Sequence, residues 1–240
     1  MSFGDALDVL YEDNHLVAVN KPCGWPSAHY TGAEETMDRV VKAYLKEKYH
    51  KAGNVFLGVV HRIDKPTSGV LLFARTSKAA ARLSEQFRDN LVEKTYWAVV
   101  DDRVAGKPPP PPLEPAGTME DWLRKDPVRG GIRVVDPSAV LAKQALLHYV
   151  VKAEHDGLSF LEIRPQTGRT HQLRVQLASR GRPIYGDSKY GSRFAFGPGI
   201  ALHSQSVTFL HPTRYEPLTV TAEVPRSWLG RFAHLLQKPE

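Results

Sequence analysis

The stretch "VHRIDKPTSGVLLFAR", residues 60–75, sets His61, Arg62 and Asp64 almost side by side, turns through Lys65-Pro66-Thr67-Ser68-Gly69, and runs into apolar Val70-Leu71-Leu72-Phe73-Ala74. The Pro and Gly punctuate the turn, and the apolar run is the pattern of a strand buried in a sheet. Charges beside such a strand cost desolvation unless they are paired or lie at its open end. The segment therefore points to polar side chains gathered where a central strand begins, a place suited to chemistry. A single Asp beside a turn ordinarily stabilises the turn through local backbone hydrogen bonds, so the rest of the chain must decide its role.

Composition leaves room for that role. With 42% hydrophobic and 24% charged residues among 240, the chain is an ordinary globular sequence. Thirty-two Lys and Arg against 26 Asp and Glu give a net charge of +6, which favours a polyanionic partner. Much of the excess sits between Glu162 and Arg193, where Arg164, Arg169, Arg174, Arg180, Arg182, Lys189 and Arg193 face only Glu162 and Asp187. Cys23 is the single cysteine, which excludes an intrachain disulfide and a multi-Cys zinc site. The ten histidines show neither H-E-x-x-H nor any Cys/His ligand spacing, so no metal site is expected. The acidic N-terminus is not a signal peptide, and no run approaches the ~20 apolar residues of a membrane span. A cytoplasmic protein is the expectation.

Along the chain, "HLVAVN" (15–20) reads as a strand and "KPCGWP" as a loop. A helix is expected from Met37, because Val40, Val41, Tyr44 and Leu45 fall on one stripe. A second helix should be capped by Ser77 and bury Ala79, Leu83 and Phe87. "KTYWAVV" (94–100) reads as a strand. A proline-rich loop over 106–117, with Pro108 to Pro112 consecutive, should be stiff and exposed. "LLHYVVKA" and "LSFLEIRP" flank His155-Asp156-Gly157 as a hairpin, and "ALHSQSVTFL" and "LTVTAEV" should form another. Between the hairpins, Thr170 is a candidate N-cap and Gly181 a helix stop. The sum is an α+β fold, a largely antiparallel mixed sheet with flanking helices.

The word H-R-I-D-K-P-T-S-G-V-L-L-F-A-R resembles the central motif of the RluA-type pseudouridine synthases, whose usual form is HRLD-x-x-TSG-L-L-L-F-A-K. Four further stretches resemble that family in its order: "NKPCGWPS" (20–27), "EKTYWAVV" (93–100), "RPQTGRTHQLRVQLASRGRPIYGDSKYG" (164–191) and "ALHSQSVTFLHP" (201–212). The resemblance implies the pseudouridine synthase fold with a central active-site cleft, and a reaction that breaks the N1–C1′ bond of a uridine in RNA and remakes it from C5. The chain begins almost directly at its first strand, so a single catalytic domain over 1–240 without the N-terminal S4-type domain of many relatives is expected, and the resemblance implies no cofactor and rRNA or tRNA as partner. No membrane association is expected, and the protein should be a monomer.

Carried over residue by residue, the resemblance makes Asp64 the essential carboxylate, as nucleophile at C1′ or as the base that starts elimination. Arg174 matches the arginine that pairs with it; a nearby cation lowers a carboxyl pKa that burial would raise. Tyr96 matches the tyrosine set against the target base and proposed to take the C5 proton. Arg62 matches the arginine that fills the space left by the extruded uridine, extrusion being needed because C1′ cannot be reached inside a helix. His61 is expected beside it, positioning the loop and meeting RNA. Arg164, Arg169, His171 and Lys189 are expected RNA contacts in the basic segment. Gln176 stands where many relatives have histidine, and with the proline-rich loop it could bear on target choice. Two rivals belong to other classes. An RNA-binding protein that has lost catalysis would not need to keep Asp64, Tyr96 and Arg174 together, and a glycoside hydrolase normally needs a second carboxylate that the motifs do not supply.

Overall fold

The computed structural model describes residues 7–28, 35–103, 108–127 and 130–236. They form two compact units, one comprising residues up to Lys94 with Ser204–Val224 and the other Thr95–His203 with the segment from Pro225 onward.

The first unit contains β1 (Val9–Glu12), β2 (Leu16–Lys21), α1 (Met37–Lys48), β3 (Gly58–Val59), β4 (Ser68–Ala74), α2 (Ser77–Arg88), β10 (Leu202–Leu210, its first two residues apart) and β11 (Pro217–Thr221). Its strands are bonded in the order β1-β2-β4-β10, with β3 beside β4 and β11 beside β10. The run read as a buried strand is β4, and all seven of its residues are buried. Antiparallel pairing sets Leu16 opposite Ala74 and Ala18 opposite Leu72. Because side chains alternate along a strand, those four share a face with Val70, packed against Ala79 and Leu83 of α2 and Val207 and Phe209 of β10. The cap of α2 is Thr76 rather than Ser77. Thr76 has the extended backbone an N-cap requires, and its hydroxyl accepts from the Ala79 N–H at 3.2 Å.

Gly69 explains the glycine of the opening motif. Its φ is +110°, and a Cβ there would run into the backbone of Ser204, 2.7 Å from its nitrogen and closer still to its carbonyl oxygen. Only a residue without a side chain lets the start of β4 lie this close to β10.

The second unit holds β5 (Glu93–Asp101, from Thr95), β6 (Ala116–Lys125), β7 (Ile132–Val135), β8 (Lys143–His155), β9 (Leu158–Pro165), α3 (Gln172–Ser179), a 3-10 turn at Ser188–Tyr190, and α4 (Arg226–Leu236). The strand order is β5-β9-β8-β6-β7, every neighbour antiparallel. His155 pairs with Leu158 around Asp156 and Gly157, both at positive φ (47° and 68°), which is the type I′ hairpin expected of an Asp-Gly turn.

The proline-rich loop is shorter than expected, because β6 already begins at Ala116; Gly106 and Lys107 lie outside the described residues. Residues 108–115 carry no regular structure, and the Pro111 carbonyl accepts from Arg182 Nη2 at 2.7 Å. The start of α3 also differs from expectation. Its N-cap is His171, in the left-handed conformation (φ 53°), not Thr170. At its other end Gly181 is the stop, at φ 74°, with Gly181 N–H bonded to Ala178 O and Arg182 N–H to Leu177 O.

Candidate active site

Residues 61–67 connect β3 to β4 in the first unit, and nearly every residue around Asp64 is held. His61 Nε2 accepts from the Leu72 N–H at 2.9 Å, tying the head of the loop to β4. Both backbone groups of Ile63 bind the Ser27 hydroxyl, which donates to Ile63 O at 2.7 Å and accepts from Ile63 N at 3.2 Å. The Lys65 carbonyl accepts from Gly24 N at 2.8 Å and from Lys21 Nζ at 3.1 Å. Thr67 N–H closes the turn onto Asp64 O at 3.0 Å. Asp64 itself is half-buried and Arg62 is exposed. The stretch 20–27 is thus the brace of the Asp64 loop, a part that its sequence pattern did not reveal.

Lys21 is the unusual member of that brace. It is fully buried, and its ammonium donates one N–H each to the carbonyls of Pro22 (2.9 Å), Trp25 (2.8 Å) and Lys65 (3.1 Å). Burial pulls it from 10.5 down to about 7, while the electrostatic influence of Cys23 and Asp64 acts in the opposite sense. Three donors meeting three acceptors is the satisfied arrangement of the charged form. His61 is a different case. Burial, then the positive charge of Lys94, lowers it to about 3. Its Nε2 accepts a backbone N–H, so the ring is neutral with its proton on Nδ1, and it stacks on Phe87 at 4.7 Å between centroids. The contacts of His61 are those of a loop-positioning residue.

In the second unit Tyr96 lies on β5, half-buried, opposite Ile163 of β9. Arg174 lies on α3 with 5% of its surface exposed. It forms a two-pronged bond with buried Asp187, Nε to Oδ2 at 2.7 Å and Nη2 to Oδ1 at 2.9 Å, and its guanidinium lies 5.1 Å from the centre of the Tyr190 ring. The Tyr190 hydroxyl accepts from Ile132 N–H at 3.0 Å and bonds His171 Nδ1 at 2.7 Å. One aromatic residue therefore joins β7, the start of α3 and the Arg174–Asp187 pair. Asp187 and Tyr190 belong to the "GDSKYG" pattern, and an acid within a basic segment is the sequence signal that could mark the first of them.

The basic segment divides once folded. Arg182 is buried, bonded to Pro111 O and 3.6 Å from Asp102. Arg180 pairs with Asp121 at 2.8 Å, and exposed Arg164 pairs with Glu162 at 2.8 Å. Arg169, Lys189 and Arg193 are exposed; Arg169 Nε reaches Gln144 O at 2.9 Å, and His171 is half-buried. Gln176 lies inside the unit. It is fully buried, its amide donating to Met119 O, Asp121 Oδ2 and Ala145 O, so it ties α3 to β6 and β8.

Residues 15–179 match the family model described as RNA pseudouridylate synthase. The chain is 34% identical over 95% of its length to "Ribosomal large subunit pseudouridine synthase D" of Xylella fastidiosa, covering 69% of that protein. It is 32% identical over 93% of its length to "tRNA pseudouridine synthase C" of Pectobacterium carotovorum, covering 61% of it. Among solved structures, "Human RNA Pseudouridylate Synthase Domain Containing 4" superposes with a TM-score of 0.73 at 26% identity, over 94% of this chain and 93% of that one. On the matched motifs, the α+β fold and these likenesses, the chain belongs to the RluA-type RNA pseudouridine synthases, a family of isomerases acting on RNA.

Proposed function

We infer that this chain isomerises a uridine of rRNA or tRNA to pseudouridine, with Asp64 as the essential carboxylate acting on the ribose of an extruded nucleotide. The observation that supports this best is the fixing of residues 61–67 around Asp64 by His61, Ser27, Gly24 and Lys21. A reacting group held this way needs little reorganisation to reach the attacking geometry. Tyr96 takes the role of proton acceptor at C5, Arg174 that of the cation favouring an ionised Asp64, and Arg62 that of the side chain replacing the extruded base. A planar guanidinium can stack on bases and donate to them at once. Arg169, His171 and Lys189 meet phosphates, Arg164 serves less directly because of its Glu162 partner, and residues 1–240 act as one catalytic domain in the cytoplasm.

The test uses 5-tritiated-uridine RNA from cells lacking the gene. Wild-type protein should release tritium, and Asp64→Asn should release none while binding the RNA near normally. Carbodiimide mapping should show one or a few sites lost without the gene and not restored by Asp64→Asn. Release by Asp64→Asn at the wild-type rate would transfer the chemistry to another residue, and RNA binding without release by the wild type would favour a non-catalytic RNA-binding protein.

A further inference from the structure

The second unit carries a groove of about 940 Å³, lined partly by Gly168, Arg169, Thr170, His171 and Lys189 of the 164–191 motif and partly by residues outside every motif. That volume is near the upper end of the roughly 300–1,000 Å³ of ordinary ligand sites. Among the described residues its lining holds five cations, Arg124 and Lys125 from β6, Lys143 from β8, Arg169, and Lys189, and no carboxylate. Beside the cations, Thr170 and His171, the lining is apolar. Leu123 and Ile132 belong to it, as do Val140 and Leu141, which are 76% and 79% exposed.

Two features make the groove a built one. The Tyr190 hydroxyl bonds both Ile132 N–H and His171 Nδ1, which links the β7 lining to the residues leading into α3. The turn Asp136–Ala142 is closed by Ala139 N to Asp136 O and Ala142 N to Ala139 O, both 3.0 Å, and sets Leu141 at φ 63°, an uncommon conformation for a leucine.

We propose that this groove binds a single-stranded RNA segment other than the target nucleotide, phosphates on the five cations and an unstacked base on Val140 and Leu141. The proposal rests on the reading of the chain as an RNA enzyme and extends the surface assigned to Arg169, His171 and Lys189 onto β6, β8 and the turn that carries Val140 and Leu141. Cations alone would suit any polyanion. Exposed aliphatic side chains among them favour a strand whose base faces are open, because duplex bases are stacked and hidden. Arg124, Lys125 and Lys143 thereby become RNA contacts although they lie outside the basic segment of the sequence.

The experiment compares full-length wild type, the double variant Lys125→Glu/Lys143→Glu, the single variant Leu141→Asn, and a charge-matched control, Lys78→Glu/Lys152→Glu, whose residues do not line the groove. Asn tolerates the left-handed conformation at position 141. Binding of a short fluorescein-labelled single-stranded RNA, and of the same sequence as a duplex, is followed by anisotropy across a salt series, with thermal melting as the folding check. The double variant should weaken single-strand binding about tenfold or more, and flatten the log K against log salt slope by about 0.7 per lost phosphate contact. Leu141→Asn should erode the preference for single strand over duplex, and the control should change neither. An unchanged salt slope in a folded double variant would overturn the proposal. So would displacement of the RNA by polyglutamate at equal charge, which would assign the groove to an acidic protein, or equal binding of duplex together with a neutral Leu141→Asn. Tritium release separates the two readings: a wild type that binds through the groove but releases nothing fails the functional reading only, and groove variants that bind normally beside an inactive Asp64→Asn fail the groove only.

Discussion

Replacing Lys21 by methionine should silence the enzyme while leaving the fold nearly as stable as before. The ammonium is fully buried, and holding it charged there costs the drop from 10.5 to about 7. At about 1.36 kcal/mol per pH unit that is about 5 kcal/mol. Against this stand three hydrogen bonds from a charged donor, each worth about 1.5–3 kcal/mol. The two contributions are of similar size, and an apolar chain of similar volume fills the same space, so urea unfolding at neutral pH should shift by no more than about 2 kcal/mol. Lys65 O keeps its bond to Gly24 N but loses Nζ, and the Pro22 and Trp25 carbonyls lose a donor. The loop carrying Asp64 is then less tightly placed, and small misplacement of a reacting group costs about 100-fold. Tritium release measures that loss. A pH series adds a second signature. The unfolded chain keeps the Lys21 proton up to about 10.5 and the folded chain only to about 7, so this residue makes wild-type stability rise with pH between those values. The rise should vanish in Lys21→Met. A folded Lys21→Met with wild-type turnover would refute the view that this lysine positions Asp64.

The other predictions are briefer. His61 is held neutral to about 3 when folded but takes a proton near 6.5 when unfolded, so its contribution is full above about 6.5 and is lost as pH falls toward 3. His61→Phe should flatten stability against pH across that window in urea melts, at a cost of about 1–3 kcal/mol at pH 7 for the unpartnered Leu72 N–H. Asp187→Asn takes the charge from one buried partner of Arg174 and should cost about 1.5–3 kcal/mol, and Arg174→Met/Asp187→Leu should release no tritium even where it stays folded. Gly69→Ala should cost at least about 2 kcal/mol by chemical denaturation, because it combines a disfavoured φ with a collision against Ser204.

Much of the fold was legible because its signals are local. The continuous apolar run of β4 and the Asp-Gly turn between β8 and β9 are set by neighbours in sequence, and both stand as read. Cap positions were off by one residue because backbone conformation, not residue type alone, selects between Thr76 and Ser77 and between Thr170 and His171. β7 is only four residues long, and its stability comes from β6, far too little signal to be read alone. α4 was missed although Trp228, Phe232 and Leu235 follow a helical stripe, which a kink at Phe232 interrupts.

By itself the sequence determined the family, the reaction class and the identity of Asp64 as the residue to test, since those rest on which side chains stand at which spacing in five ordered motifs. Tertiary structure alone decided what each charge does. Arg174 and Arg182 are buried against acids, Lys21 spends its ammonium on three carbonyls, and Arg124, Lys125 and Lys143 gather with Arg169 and Lys189 around one groove. The physical reason is that a charge has no fixed role in one dimension: folding sets its desolvation and its partners together, and both depend on residues distant in the chain.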